Sequence, residues 1–162
     1  MDDFNEADFI IQQREPFNAE PLPSRLIERY LTPQALLYVR SHGVIHNLAG
    51  DHAIRFGGNG LRDADLTLAQ FKAHFAERRI VATMQCAGNR RADLQLAGKT
   101  NGDPWEVGAI GNVEWTGVSL AEVLGELGIG DRREGYIACT AADVDKVEGE
   151  THPYEISISL HL

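Results

Sequence analysis

The run Ile80-Val81-Ala82-Thr83-Met84, leading into Gln85-Cys86-Ala87-Gly88-Asn89-Arg90-Arg91, constrains this chain more than any other stretch. An apolar and β-branched run bounded by Arg78 and Arg79 before and Gly88 after predicts a buried strand feeding a loop. A thiol at that junction has a fixed place, and two guanidiniums nearby favour its thiolate. Thiolate is the form that ligates soft or high-valent metals and attacks electrophiles. Gly88 and Asn89 tolerate a left-handed turn, so the backbone can curl close to a bound group. Arg90 and Arg91 offer planar donor forks for phosphate, sulfate or sulfite. For an isolated cysteine the ordinary alternative is burial as a small apolar residue. The residues around Cys86 point instead to a cofactor site.

The rest of the chain divides into an arm and a domain. Residues 1–24 are polar and carry Pro16, Pro21 and Pro23, which predicts an extended arm lying across the surface of a domain formed by residues 25–162. Thr32 as N-cap and Pro33 at the first helical position predict a short helix to about Leu37, with Tyr38 to Gly43 following as a loop. His52 to Gly57 alternates as a half-buried strand and ends in the turn signal Gly57-Gly58-Asn59-Gly60. Thr67 and Gln70 form a capping-box pattern for a helix carrying Phe71 and Phe75 and ending near Glu77. Residues 92–114, dense in glycine, are expected to be loop. Ser119 and Glu122 form a second capping box, opening a helix through Leu127 that stops at Gly128. Gly135 to Thr140 predicts a strand with Cys139 packed in the core. An acidic loop from Asp143 to Thr151 and an alternating strand from Tyr154 to Leu160 complete the chain. Short strands, three short helices and long loops together predict an α+β domain with a mixed sheet.

Composition excludes several functions. Of 162 residues, 43% are hydrophobic and 24% charged, which describes a globular rather than a disordered chain. A net charge of −9 argues against nucleic-acid binding through phosphate neutralisation, so any anion pocket has to be local. Cys86 and Cys139 make neither a metal-finger spacing nor a disulfide framework. No run approaches the ~20 apolar residues of a membrane span, and the start, Met1-Asp2-Asp3-Phe4-Asn5-Glu6, is acidic where a signal peptide is basic. The expected location is cytoplasmic.

The heptapeptide Gln85-Cys86-Ala87-Gly88-Asn89-Arg90-Arg91 resembles the molybdenum-ligand motif of the sulfite oxidase family, which includes the molybdenum domain of assimilatory nitrate reductases. Glu15-Pro16-Phe17-Asn18-Ala19-Glu20-Pro21, Tyr38-Val39-Arg40-Ser41-His42-Gly43, Trp105-Glu106-Val107-Gly108-Ala109-Ile110-Gly111-Asn112 and Trp115-x-Gly117 follow in the family's order, as do Pro153-Tyr154 and Ser157-Ile158. The resemblance covers residues 14 to 160. It implies the family's molybdopterin-binding fold, here its N-terminal half, since the family's domain continues further. It also implies a molybdenum-molybdopterin cofactor with Cys86 as the protein's metal ligand and catalytic residue. By the same matching Tyr38, Val39, Arg40, Ser41, His42 and Asp143 contact the pterin. Arg40 also resembles the arginine that holds the anionic substrate, and Arg90 or Arg91 adds to the same positive field.

The implied activity is oxygen-atom transfer to sulfite, giving sulfate, with electrons passed to a separate acceptor because no Cys-x-x-Cys-His haem motif is present. Nitrate or sulfoxide reduction at the same centre is the alternative within the family, and a cofactor-domain fragment without activity is the alternative outside it. The longer family proteins are usually homodimers through an immunoglobulin-like domain, which the resemblance leaves as an expected absence here. Departures from the family's pattern are Ser41 for asparagine, His46 for proline and Tyr136 for histidine. His42 reads otherwise as an exposed loop residue and Asp143 as a turn or cap residue. Trp105 and Trp115 read as core and loop anchors.

Overall fold

Asn18, Ala19 and Glu20 are completely buried in the computed structural model of the protein, although two of the three are polar. The structure describes residues 4–43, 46–130, 134–147 and 149–160. These form two compact units: residues 1–45 with 81–115, and residues 46–80 with 116–162.

In the first unit, β1 (Phe9–Gln13) and β2 (Asn18–Pro21) form an antiparallel hairpin with Phe9 opposite Pro21 and Ile11 opposite Ala19. The register shifts between Ile11 and Gln13, which brings Gln13 opposite Asn18. The segment expected as a surface arm is thus a hairpin, and its second strand is buried along its whole length. Proline does not forbid this, because Pro21 closes the strand, where no ladder amide is needed. A short helix, α1 (Pro23–Leu26), follows with proline in its first turn.

The helix expected from Thr32 is only a single 3₁₀ turn, Gln34–Leu36. Thr32 does not cap it. Its hydroxyl accepts from the Asn112 amide at 3.2 Å, while its own amide donates to the Asn112 carbonyl at 2.8 Å. Leu37 leaves the turn extended, and Val39 exchanges both backbone hydrogen bonds with Ala19.

β5 (Arg78–Gln85) and β6 (Ile110–Gly117) pair as a two-stranded sheet, most of which lies in the first unit. The expected buried strand is only half-buried, with Ile80 61% and Val81 49% exposed. Ala82, Met84 and Cys86 are the partly covered positions, the period-2 signature of a strand with one packed face. Residues 92–114 are not all loop: α3 (Arg91–Ala97) and the start of β6 fall within them.

In the second unit, β3 (Ala53–Phe56) and β4 (Ala64–Thr67) form an antiparallel hairpin across the glycine turn. The capping box on α2 (Leu68–His74) is complete: the Thr67 hydroxyl accepts from the Gln70 amide and the Gln70 side chain accepts from the Thr67 amide. The helix ends at His74 rather than Glu77, because Phe75 is already extended and the chain must enter β5 at Arg78. Ser119 caps α4 (Leu120–Glu126) by accepting from the Glu122 amide. The Glu122 carboxylate pairs with Arg78. Phe71, Val123 and Leu127 form the core of this unit, flanked by Phe56, Leu66, Phe75 and Val118.

The expected acidic loop is instead the far end of a long hairpin, β7 (Tyr136–Val147) with β8 (Glu150–Ser159). Val144 and Thr151 are β-branched residues that a pleated ribbon accommodates well. Cys139, expected in the core, is exposed on β7, and Tyr136 at the start of that strand is 77% exposed. The α+β class holds, with short helices of 4 or 7 residues and four two-stranded sheets among the described residues. No helix among them is long and apolar enough to cross a membrane.

Candidate functional site

Cys86 leaves β5 on its partly covered face and enters a turn closed by its own carbonyl, which accepts from the Asn89 amide at 3.0 Å. The Gly88 amide donates to Cys86 Sγ at 3.3 Å, which fixes the direction of the sulfur. Arg90 takes the left-handed conformation, φ 64°, so the residue with positive φ is the one after the Gly88-Asn89 pair expected to supply it. Arg90 then serves as N-cap residue of α3 without a side-chain cap, which explains why no capping signal announced that helix.

The two arginines separate. Arg90 is exposed and its Nε donates to Asp93 at 2.7 Å. Arg91 folds back over its own loop, where Nη1 donates to the Asp103 carbonyl at 2.8 Å. A Cβ on Gly88 or on Gly102 would lie 2.8 Å from an Arg91 guanidinium nitrogen, so the end of Arg91 would have to shift to admit either.

The Cys86 turn leans on residues 105–109. The Cys86 amide donates to the Ala109 carbonyl at 2.9 Å, the Arg90 amide to Glu106 at 2.6 Å and the Ala92 amide to Trp105 at 3.0 Å. Asn89 Oδ1 accepts from the Ala109 amide at 3.1 Å. Trp105 is fully buried, which bears out its expected role as an anchor.

The second segment, Tyr38 to His42, is held by β2. Asn18 Oδ1 accepts from the Ser41 amide at 2.6 Å, and Asn18 Nδ2 donates to the Ser41 and Pro16 carbonyls at 3.1 and 3.2 Å. Arg40 Nη1 reaches Asn18 Oδ1 at 3.4 Å and donates to the Ser41 carbonyl, while Nη2 lies 3.3 Å from His42 Nδ1. A guanidinium has five N–H donors, so these contacts orient the fork without exhausting it. Val39 is held by its backbone bridge to Ala19. Burial, and after it the negative charge of the Cys86 sulfur, push the Tyr38 phenol above its ordinary value of 10.0. Both causes favour the protonated phenol, so the Tyr38 hydroxyl keeps its proton.

The first unit thus contains Tyr38, Val39, Arg40, Ser41, His42, Cys86, Arg90 and Arg91, whereas Asp143 lies on β7 in the second. Among the described residues no three His, Cys, Asp or Glu side chains are grouped as a metal site. A half-buried thiol with an oriented sulfur suits one soft bond to a metal that brings other ligands with it. The Arg91 guanidinium, folded over its own loop, suits an anionic group nearby.

Two side chains outside the expected set complete the arrangement. Asn18 organises the Arg40 segment as just described, and Glu20 accepts from the Glu106 and Gly108 amides at 2.7 and 2.6 Å. Their signal in the sequence was polarity at alternate positions of a short segment between prolines, which by itself does not reveal burial.

Residues 42–162 match the family model described as oxidoreductase molybdopterin binding domain. The chain is 36% identical to sulfite oxidase of Gallus gallus over 77% of its own length and 28% of the relative's. It is 33% identical to sulfite oxidase of Arabidopsis thaliana over 93% of its length and 40% of the relative's. It is also 34% identical to an NADH nitrate reductase of Brassica napus, over 90% of its length and 16% of the relative's. In structure it is similar to the sulfane dehydrogenase SoxCD from Paracoccus pantotrophus, with a TM-score of 0.65 and 22% identity over 83% of this chain and 34% of that one. The chain spans between about a sixth and two fifths of the length of these curated relatives.

Proposed function

Since the chain belongs to the oxidoreductase molybdopterin binding domain family, we propose that it holds a molybdenum-molybdopterin cofactor through Cys86 and serves oxygen-atom transfer to sulfite. The observation that carries this reading is the Cys86 turn: a half-buried thiol at a strand end, its sulfur oriented by the Gly88 amide and its neighbours braced on residues 105–109. When bound, the cofactor supplies the oxygen-atom and two-electron chemistry, by which sulfite gains one oxygen originating in water and loses two electrons to a separate acceptor, with release of two protons.

The chain's own residues bind and orient. Cys86 gives the one protein bond to the metal. Arg40, set at a fixed angle by Asn18 and the Ser41 carbonyl, presents N–H donors to a small oxyanion. The Tyr38 hydroxyl retains its proton because burial and the sulfur's charge oppose ionisation, which leaves it a donor for a bound group. Ser41 and His42 follow on the same segment and are assigned to the pterin, together with Val39. Arg90 is assigned to the outer positive field, because it is exposed and already paired with Asp93. Arg91 is assigned to the loop's own structure as well as to the field.

Metal analysis tests this directly. Purified from a molybdopterin-competent host, the chain is expected to carry molybdenum near one per chain together with fluorescent pterin on release. Cys86→Ser is expected to lose turnover while keeping part of the pterin. A Cys86→Ser protein that keeps its molybdenum and oxidises sulfite would refute the assignment. Nitrate reduction is the second reading, supported by the nitrate reductase relative at 34% identity, which lies within the range of the sulfite oxidases. Sulfite-dependent acceptor reduction against nitrate-dependent oxidation of the reduced protein separates the two.

A further inference from the structure

The Cys86 turn is braced on residues 105–109, and those residues are braced in turn by one buried carboxylate. We propose that Glu20 is a positioning residue for Cys86, an inference that rests on the assignment of Cys86 as the cofactor ligand. Glu20 is completely buried, and its two oxygens take three donors: Gln12 Nε2 and the Glu106 amide at 2.7 Å each on Oε1, and the Gly108 amide at 2.6 Å on Oε2. A carboxylate is acceptor-only, so it can take three N–H groups without presenting a donor of its own, and such bonds are short and strong.

The same five residues bond in the opposite direction to the Cys86 turn. The Glu106 carbonyl takes the Arg90 amide, the Ala109 carbonyl takes the Cys86 amide, and the Ala109 amide reaches Asn89 Oδ1. Residues 105–109 are therefore clasped between Glu20 on one side and residues 86–92 on the other. Gly108 has no room to retreat, since a Cβ there would lie 2.3 Å from the Pro21 carbonyl and 3.0 Å from Glu20 Oε2. Because β2 alternates, Glu20 and Asn18 share one face of a buried strand, and Asn18 sets the Arg40 segment as Glu20 sets the Cys86 turn. One strand thereby fixes both the sulfur and the guanidinium.

The substitution Glu20→Gln leaves one oxygen for two amide N–H groups and points an NH2 at the other. Glu20→Asp keeps the charge but is one methylene too short to span both amides. The experiment measures, in the full metal-free chain at one pH, the ratio of Cys86 to Cys139 alkylation by iodoacetamide, quantified by peptide mass spectrometry. Molybdenum per chain is measured after expression in a molybdopterin-competent host. Both variants are expected to raise the ratio about threefold or more and to lower molybdenum at least fivefold, with helix and strand signals in circular dichroism unchanged. Gln12→Ala, which removes one donor but neither amide, is expected to change the ratio less than twofold.

An unchanged ratio in folded Glu20→Gln, or full rescue of both readouts by Glu20→Asp, overturns the proposal. Should Glu20→Gln not fold, amide exchange in the wild-type chain decides: comparable protection of Cys86, Glu106 and Gly108 supports it, and exchange of Glu106 and Gly108 at least a hundredfold faster than Cys86 overturns it. A wild-type chain without molybdenum whose alkylation ratio still responds to Glu20 would sink the cofactor assignment and leave the brace standing.

Discussion

Replacing Asn18 by alanine isolates what holds the Arg40 segment. In the native chain Asn18 Oδ1 takes the Ser41 amide at 2.6 Å and Nδ2 supplies the Ser41 and Pro16 carbonyls, all from a fully buried side chain. In Asn18→Ala the Ser41 amide loses its acceptor, at a cost of about 1–3 kcal/mol for a donor left unsatisfied. The Ser41 carbonyl keeps Arg40 Nη1, so its loss is small. The space left by the amide adds about 1 kcal/mol, for a total of about 2–4 kcal/mol. Urea unfolding followed by tryptophan fluorescence reads this as a lower midpoint at unchanged slope. Asn18→Asp is the sharper variant, because it keeps the acceptor but turns an oxygen toward the Ser41 and Pro16 carbonyls. It is expected to cost about 1–3 kcal/mol despite the attraction of Arg40. A loss under about 0.5 kcal/mol in both variants would mean that the segment is held without Asn18, and the account of how Arg40 is aimed would fail with it.

The two crowded glycines of β6 and its approach should respond differently. Gly108→Ala meets the Pro21 carbonyl at 2.3 Å, a backbone atom that cannot yield, and is expected to cost about 3 kcal/mol or more, whereas Gly111→Ala meets only the mobile end of Leu37 at 2.5 Å and is expected to cost less than half as much by the same urea assay. Tyr38 makes stability depend on alkali: with its folded value raised above 10.0, its contribution is complete below pH 10 and is lost as pH rises through the folded value, because the unfolded chain ionises first. Tyr38→Phe is expected to flatten that part of the stability curve, and Cys86→Ala to shift the spectrophotometric titration of Tyr38 downward only partly, since burial is the larger cause. The Arg78–Glu122 pair is exposed on both sides, 60% and 40%, so a double-mutant cycle is expected to give a coupling under about 1 kcal/mol that disappears in high salt.

Local signals in the sequence succeeded where the chain's own neighbours decide the outcome. The Thr67–Gln70 box forms as the spacing requires, because both partners lie within one helical turn. Gly128, with φ of 108°, ends α4 where a left-handed residue was expected. Signals failed where a distant partner outbid the local one. Thr32 has an N-cap's chemistry, yet its hydroxyl serves the Asn112 amide, 80 residues away, and the helix it would have capped shrinks to one turn. Burial failed for a related reason. Apolar Val81 and small Cys139 were expected inside, but a strand in a two-stranded sheet has one packed face at most, and both are exposed. Asn18 and Glu20 are the reverse case, polar residues of the expected surface arm that are completely buried. What made them buried is that each answers backbone amides of a loop far along the chain, Ser41 for one and Glu106 and Gly108 for the other. A buried polar side chain is stable only when such partners exist, and partners at those separations leave no periodicity to read. The Cys86 motif was legible because it carries its chemistry locally; the residues that aim it were not, because their meaning lies in what the fold brings to them.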